Sequence, residues 1–212
     1  MTFDDALRSL AAGRPLPGPA ACLSMAPGYR REPDSLEADG RWREAAVLVL
    51  LYPDGGAARF PLMLRPPGAG AHAGQVSLPG GSREAGESLE ACALREAREE
   101  LGVDPADVRV VRALSPLRVP PSRFLVHPFV GVASGRPRFA PSAAEVASLH
   151  EPSLDELVDA ASRCEDDAEF AGRLWRVPFY RLAGLRVWGA TAMILSELEA
   201  ALRAGSGDSI RP

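Results

Sequence analysis

The sequence is short of net positive charge, of cysteine and of long apolar runs, and each shortage closes off a class of function. It has 24 basic against 28 acidic side chains, a formal net charge of −4. No chain-wide positive field therefore draws the molecule to nucleic acid or to an anionic membrane, and the basic patch at Arg41 and Arg43 is too short to change that. The longest apolar run, AAVLVLLY at 45–52, falls well below the roughly 20 residues that a membrane-spanning helix needs. The first residues lack the basic and then apolar order of a secretory leader, so the expected location is the cytoplasm. Three cysteines are present, Cys22, Cys92 and Cys164. None stands in a CxxC spacing, which argues against a zinc cage and for reduced thiols, with Cys92 a packed residue. No internal repeat stands out.

What is present is the composition of a globule with one full core: 212 residues, 46% apolar and 25% charged. Residues 1–40 read as an N-terminal arm, helical over 3–11 and then irregular through a Pro/Gly-rich stretch. Residues 41–204 read as the globular domain, and 205–212 as a disordered tail. Within the domain, 45–52 is apolar on both faces and reads as a buried strand. Asp54-Gly55-Gly56 turns the chain into a second strand, RFPLMLR at 59–65. Residues 66–81 form a Gly/Pro-rich loop. Further strands are expected over 107–117, 123–133, 145–150 and 175–180, with helices starting at Ser153 and over 192–204, and the polar stretch 163–174 between them carries no element. Strands and helices mixed in this order, with several hairpins, predict a mixed sheet between helices.

The densest chemical signal is GSREAGESLEACALREAREELGV at 81–103. At about 3.6 residues per turn, Glu96, Glu99 and Glu100 fall within an arc of roughly 100°, while Leu94, Ala97 and Leu101 point the other way toward a core. Like charges at this spacing cost a bare helix about 0.2 to 0.5 kcal/mol per pair, a cost that a divalent cation removes. Hard cations take oxygen ligands and commonly bridge one or two carboxylates to substrate phosphates. Arg95, beside Glu96, has the forked donor set to orient a ligand carboxylate.

Seven fixed positions of this run, Gly81, Glu87, Arg95, Glu96, Glu99, Glu100 and Gly102, match the Nudix box, Gly-x5-Glu-x7-Arg-Glu-U-x-Glu-Glu-x-Gly-U; Ala97 is small for the first U. The chain thus resembles the Nudix hydrolases, which implies their α/β/α sandwich with a mixed sheet. Around the box, LMLRPPGAGAHAGQVSLPGG at 62–81, HPFVG at 127–131, Glu145-Val146 and RVWGATAMIL at 186–195 resemble the coenzyme A pyrophosphatase branch, whose signature is matched by Arg65, Gly74, Pro79, Gly80 and Gly81. Four signature positions depart: Met63, Pro66, Leu78 and Gly70. The last replaces an arginine and so supplies neither charge nor donors to a phosphate.

The resemblance implies hydrolysis of a diphosphate linkage in a small-molecule nucleotide substrate, coenzyme A or its derivatives leading, with Mg²⁺ or Mn²⁺ as cofactor. ADP-ribose, NADH or dinucleoside polyphosphates are the alternative substrates, and a non-catalytic nucleotide-binding module is a third reading. Neither nucleic acid nor membrane is expected as a partner, and the chain is a monomer or a homodimer. The implied ligands are Glu96, Glu99 and Glu100, with the carbonyl of Gly81. Glu87 reads as a ligand or as a capping group near the positive end of the helix. Glu145 is the candidate general base, with a solvated loop carboxylate as the other reading. Arg65 reads as a phosphate contact or a surface ion pair. His72, Gln75 and Gly80 are expected to line the substrate pocket, Trp188 to sit in the core, and Thr191 to cap the last helix.

Overall fold

A computed structural model describes residues 1–11, 15–30, 42–68 and 73–206. The expected 40/41 domain boundary and residues 207–212 lie outside these. Strand β1 (Arg43–Asp54) is the axis of the molecule. It pairs antiparallel with β2 (Ala57–Arg59) and β5 (Gly80–Ser82) and runs parallel to β8 (Phe124–Val132), which in turn pairs antiparallel with β6 (Arg109–Ala113) and β7 (Leu117–Val119). Two three-stranded sheets complete the β structure. One orders β4 (Val76–Ser77), β3 (Leu62–Leu64) and β9 (Ser148–His150); the other orders β10 (Arg163–Phe170), β11 (Arg173–Leu182) and β12 (Leu185–Trp188).

The run AAVLVLLY is continuous because β1 is covered on both sides, where alternation would be expected of a strand with one wet face. Ala45, Val49 and Leu51 enter one core with Met193, Ile194, Leu195, Leu198 and Leu202 of α5 (Gly189–Ser206). Ala46, Leu48, Leu50 and Tyr52 enter the other with Cys92, Ala93, Ala97 and Leu101 of α3 (Leu89–Leu101). Helices thus lie on both faces of a mixed sheet, the expected α/β/α arrangement. The six residues of β1 that are fully buried from Leu48 to Tyr52 and at Ala46 bind α3 and α5 to one strand; burying each large apolar side chain contributes about 1.5 to 3 kcal/mol.

Several elements differ from expectation. Residues 59–65 do not form one strand: Pro61 has no N–H to donate and splits the run, and the Phe60 N–H instead donates to the Pro152 carbonyl (3.2 Å). The N-terminal segment packs as two short helices against α5. In α1 (Phe3–Ser9), Thr2 and Asp5 form a reciprocal cap. In α2 (Pro19–Ser24), within the stretch read as irregular, Pro19 stands at the first helical position and Cys22 is buried. Residues 163–170 form β10 despite low apolarity, because β10 is the outer strand of a ribbon held by side-chain pairs such as Glu165–Arg176 (2.8 Å). Ser153 does start α4 (Leu154–Val158), with a reciprocal cap to Glu156. Thr191 lies inside α5, and its hydroxyl donates to the Val76 carbonyl (3.1 Å), tying the helix to β4 instead of capping it. Among the described residues no helix is long and apolar enough to cross a membrane.

Candidate active site

The acidic face of α3 is set against β5. Ser88 caps the helix through the Ala91 N–H (3.1 Å), and Gly102 ends it in a left-handed conformation, φ 71°. Between α3 and β1 there is room only for glycine in β5. A Cβ on Gly81 would lie 2.4 Å from Glu96 Oε1, and one on Gly80 would lie 2.4 Å from the Ala46 carbonyl oxygen and 2.5 Å from Val47 Cγ1. The glycine pair therefore lets the strand carry the Glu96 carboxylate directly on its backbone.

Glu100 is 1% exposed. Its Oε2 accepts from the Gly80 N–H (2.8 Å) and its Oε1 from Arg65 Nη2 (2.9 Å). Burial pushes its carboxyl up to about 7, against the opposing pull of the Gly80 N–H and the Arg65 charge. Glu96 is raised as well, first by burial and then by the charges of Glu99 and Glu145, with Arg95 pulling the other way. Arg95 is the hub of the face: Nε donates to Glu87 (2.9 Å), and Nη1 donates to both Glu96 (2.8 Å) and Glu99 (2.9 Å). Nη2 reaches the Ser82 carbonyl (3.1 Å), joining helix to strand.

Of the residues singled out in the sequence, the structure brings Glu96, Glu99, Glu100, Arg95, Gly80, Gly81 and Arg65 together. Glu87 spends its oxygens on Arg95 and on the Glu84 N–H (3.1 Å), an anchoring arrangement, and the Arg95 contact holds its carboxyl below the usual range. Arg65 is turned to Glu100. The Gly80 N–H is likewise committed to Glu100, and the Gly81 carbonyl, in register with Ala46 of β1, also receives a long contact from the Cys92 thiol (3.6 Å). Gln75 is half-buried and its carbonyl accepts from the Arg65 N–H (3.0 Å). Trp188 is half-buried at the end of β12. His72 and Gly70 lie outside the described residues. Glu145 is exposed on the connection between β8 and β9, which lands on the end of α3 where the Ser142 N–H donates to the Glu100 carbonyl (2.9 Å), and its charge opposes ionisation of both Glu96 and Glu100. The pairing of Arg65 with Glu100 was not legible from spacing, since 35 residues separate them.

A model of the NUDIX domain matches residues 42–174, from β1 through α3 to the start of β11. The chain belongs to the NUDIX family. It is 37% identical over 169 residues to an uncharacterized Nudix hydrolase, NudL, of Pectobacterium atrosepticum, covering 78% of this chain and 86% of that one. It is 32% identical over 182 residues to the mitochondrial Nudix hydrolase 15 of Arabidopsis thaliana, covering 81% of this chain and 61% of that one. A crystal structure of the Nudix hydrolase RenU from M. smegmatis superposes with a TM-score of 0.54 at 20% identity, over 80% of this chain and 89% of that one, a likeness of fold.

Nudix hydrolases generally use divalent metal ions. The donor chemistry here fits such an ion: hard carboxylate oxygens, two of them desolvated and raised, gathered against the Gly81 backbone. Among the described residues no three acidic side chains already surround one point. Arg95 bridges Glu96 and Glu99, and Arg65 with Gly80 holds Glu100, so cation and guanidinium compete for the same oxygens.

Proposed function

We propose that the chain hydrolyses the diphosphate linkage of coenzyme A or a close derivative, releasing 3′,5′-ADP and 4′-phosphopantetheine. Glu96, Glu99, Glu100 and the Gly81 carbonyl hold Mg²⁺ or Mn²⁺ in this reading. The observation that carries it is the seating of two carboxylates on one glycine pair, Glu96 against Gly81 and Glu100 on the Gly80 N–H (2.8 Å), with the carboxyls of both raised by burial. Acid concentrated at such a desolvation cost serves to bind a cation and, through it, a diphosphate. When bound, the cation supplies charge neutralisation at the phosphoryl oxygens and makes water easier to deprotonate.

The chain's own residues then have separate tasks. Glu145, exposed and beside the cluster, takes the proton of the attacking water as its oxygen adds to phosphorus and the P–O bond of the linkage breaks. Arg95 keeps Glu96 and Glu99 in place through its bridge. Arg65 is already in the site, part-exposed at 28%, and places a guanidinium where a phosphate would meet it. Gln75, on the segment entering the box, lines the substrate side, with the Gly80 peptide behind the ligands.

Support for coenzyme A comes from the sequence around the box: Arg65, Gly74, Pro79, Gly80 and Gly81 before it, and the HPFVG and RVWGATAMIL segments after it. Gly70 in place of an arginine favours the alternative, a Nudix hydrolase acting on ADP-ribose, NADH or dinucleoside polyphosphates, since one charge-assisted phosphate contact is worth roughly 1.5 to 3 kcal/mol. The test is kcat/KM for coenzyme A against these three substrate types with Mg²⁺ and with Mn²⁺. Highest kcat/KM for coenzyme A is expected; a clear preference for ADP-ribose would overturn the substrate assignment and leave the metal site standing.

A further inference from the structure

The connection 133–147 between β8 and β9 carries Glu145 and has almost no regular structure of its own. Long connections of this kind inside a compact domain usually serve a function. The Glu145 side chain has no hydrogen bond or ion pair among the described residues, and its neighbours Glu96 and Glu100 bear like charge. Repulsion would push it away from the acids of α3. Its place must therefore be fixed by the backbone on either side of it.

That backbone is anchored in two steps. The first is a clamp on Glu151. Tyr52, fully buried at the end of β1, donates its hydroxyl to Glu151 Oε2 (2.6 Å); Arg136 donates Nε to Oε2 (2.8 Å) and Nη2 to Oε1 (2.6 Å). Arg59 Nη1 holds the Glu151 carbonyl (2.8 Å). The Phe139 ring lies edge-on to Tyr52 (5.7 Å) and under the Arg136 guanidinium (5.6 Å). The second step is a landing on the end of α3: the Ala140 N–H donates to the Leu101 carbonyl (2.8 Å) and the Ser142 N–H to the Glu100 carbonyl (2.9 Å). Gly102 permits this approach, because a Cβ there would come within 2.8 Å of the Ala140 Cβ. The Ser142 carbonyl then accepts from the N–H groups of Glu145 (3.0 Å) and Val146 (2.8 Å), and Val146 is buried beside Ala97 and Leu101.

We propose that Arg136 and Phe139, clamped on Tyr52 and Glu151, are positioning residues that set Glu145 against Glu96 and Glu100 by fixing where the connection lands on α3. The proposal rests on the reading of Glu145 as the base. Its test is a double-mutant cycle in the full chain, with the best diphosphate substrate of the panel and saturating metal. Arg136→Ala and Phe139→Leu should each lower kcat about tenfold with KM nearly unchanged, since small misplacements of a reacting group cost up to about a hundredfold. In the Glu145→Gln background the same substitutions should have almost no further effect. Arg136→Lys should not rescue, because lysine cannot make the two-pronged contact. Hydrogen exchange at the amides of Ala140 and Ser142 should quicken in Arg136→Ala.

Equal losses in both backgrounds, no loss in either, or a silent Glu145→Gln would overturn the proposal. Should the wild-type chain hydrolyse no diphosphate at all, the functional reading fails by itself. The exchange measurement still decides the clamp in that event: unchanged protection at 140–146 would refute it.

Discussion

Glu100 sits at the meeting point of backbone, ion pair and acidic cluster, so its protonation reports directly on the site. Its folded-state carboxyl is raised from 4.5 to about 7, chiefly by burial. A raised acid means that the folded chain holds the proton more tightly than the unfolded one, so the stabilisation is complete below about 4.5 and is lost as pH rises through about 7. In chelator, thermal melts of the wild-type chain should therefore lose stability from pH 5 to 8 relative to Glu100→Gln, and parallel curves would contradict the burial argument. Glu99→Gln and Glu100→Gln should each cut turnover at least about a hundredfold with the fold retained by circular dichroism, the scale seen when charge stabilisation at a reacting centre is removed. Gly81→Ala should be severe for another reason. Its Cβ would fall within 2.4 to 2.6 Å of three Glu96 side-chain atoms, so the carboxylate must swing away and metal-dependent activity should fall even if the chain still folds.

Among the elements, α3 and β1 were the most legible in the sequence, and for physical reasons. The box helix carries its own cap at Ser88, its own stop at Gly102 and an apolar stripe, and β1 is apolar throughout because both its faces are covered. What could not be read were elements whose stability lies in partners far along the chain. Strand β10 is mostly exposed and persists through pairing with β11; α2 is too short to stand alone and forms by packing on α5. Helix α5 was legible as a helix, but its buried acids were not legible as connectors. Glu197 accepts from the N–H groups of Gly18 (3.2 Å) and Ser115 (2.8 Å), and Glu199 from Tyr180 (2.6 Å), Arg163 (2.7 Å) and Arg203 (2.9 Å). Glu199→Ala removes the buried acceptor of the Tyr180 hydroxyl and the carboxylate that Arg163 and Arg203 share. It should lower stability by about 3 kcal/mol in urea melts, the low end for a broken buried pair, because Arg163 is 37% exposed. Specific activity of the folded fraction should be unchanged.

For the molecule as a whole, the fold follows from one two-faced strand sandwiched by α3 and α5, and the site follows from what that arrangement brings to α3. The box residues were recognisable by spacing alone, since one helix and one turn set their geometry. The pairing of Arg65 with Glu100 and the seating of Glu145 were not, because each joins segments that meet only after the sheet has closed. Box acids alone do not specify the substrate, because in the proposed reaction they face the diphosphate and the rest of the molecule is read elsewhere. In the proposed reaction this acid cluster exchanges its guanidinium partners for a divalent cation. The direct measurement is titration calorimetry of Mn²⁺ into the full chain with a nucleoside diphosphate present, for the wild type and for Glu96→Gln and Glu100→Gln. Binding to the wild type that weakens at least about tenfold in each variant is expected; no binding to the wild type, or equal binding in all three, would contradict it.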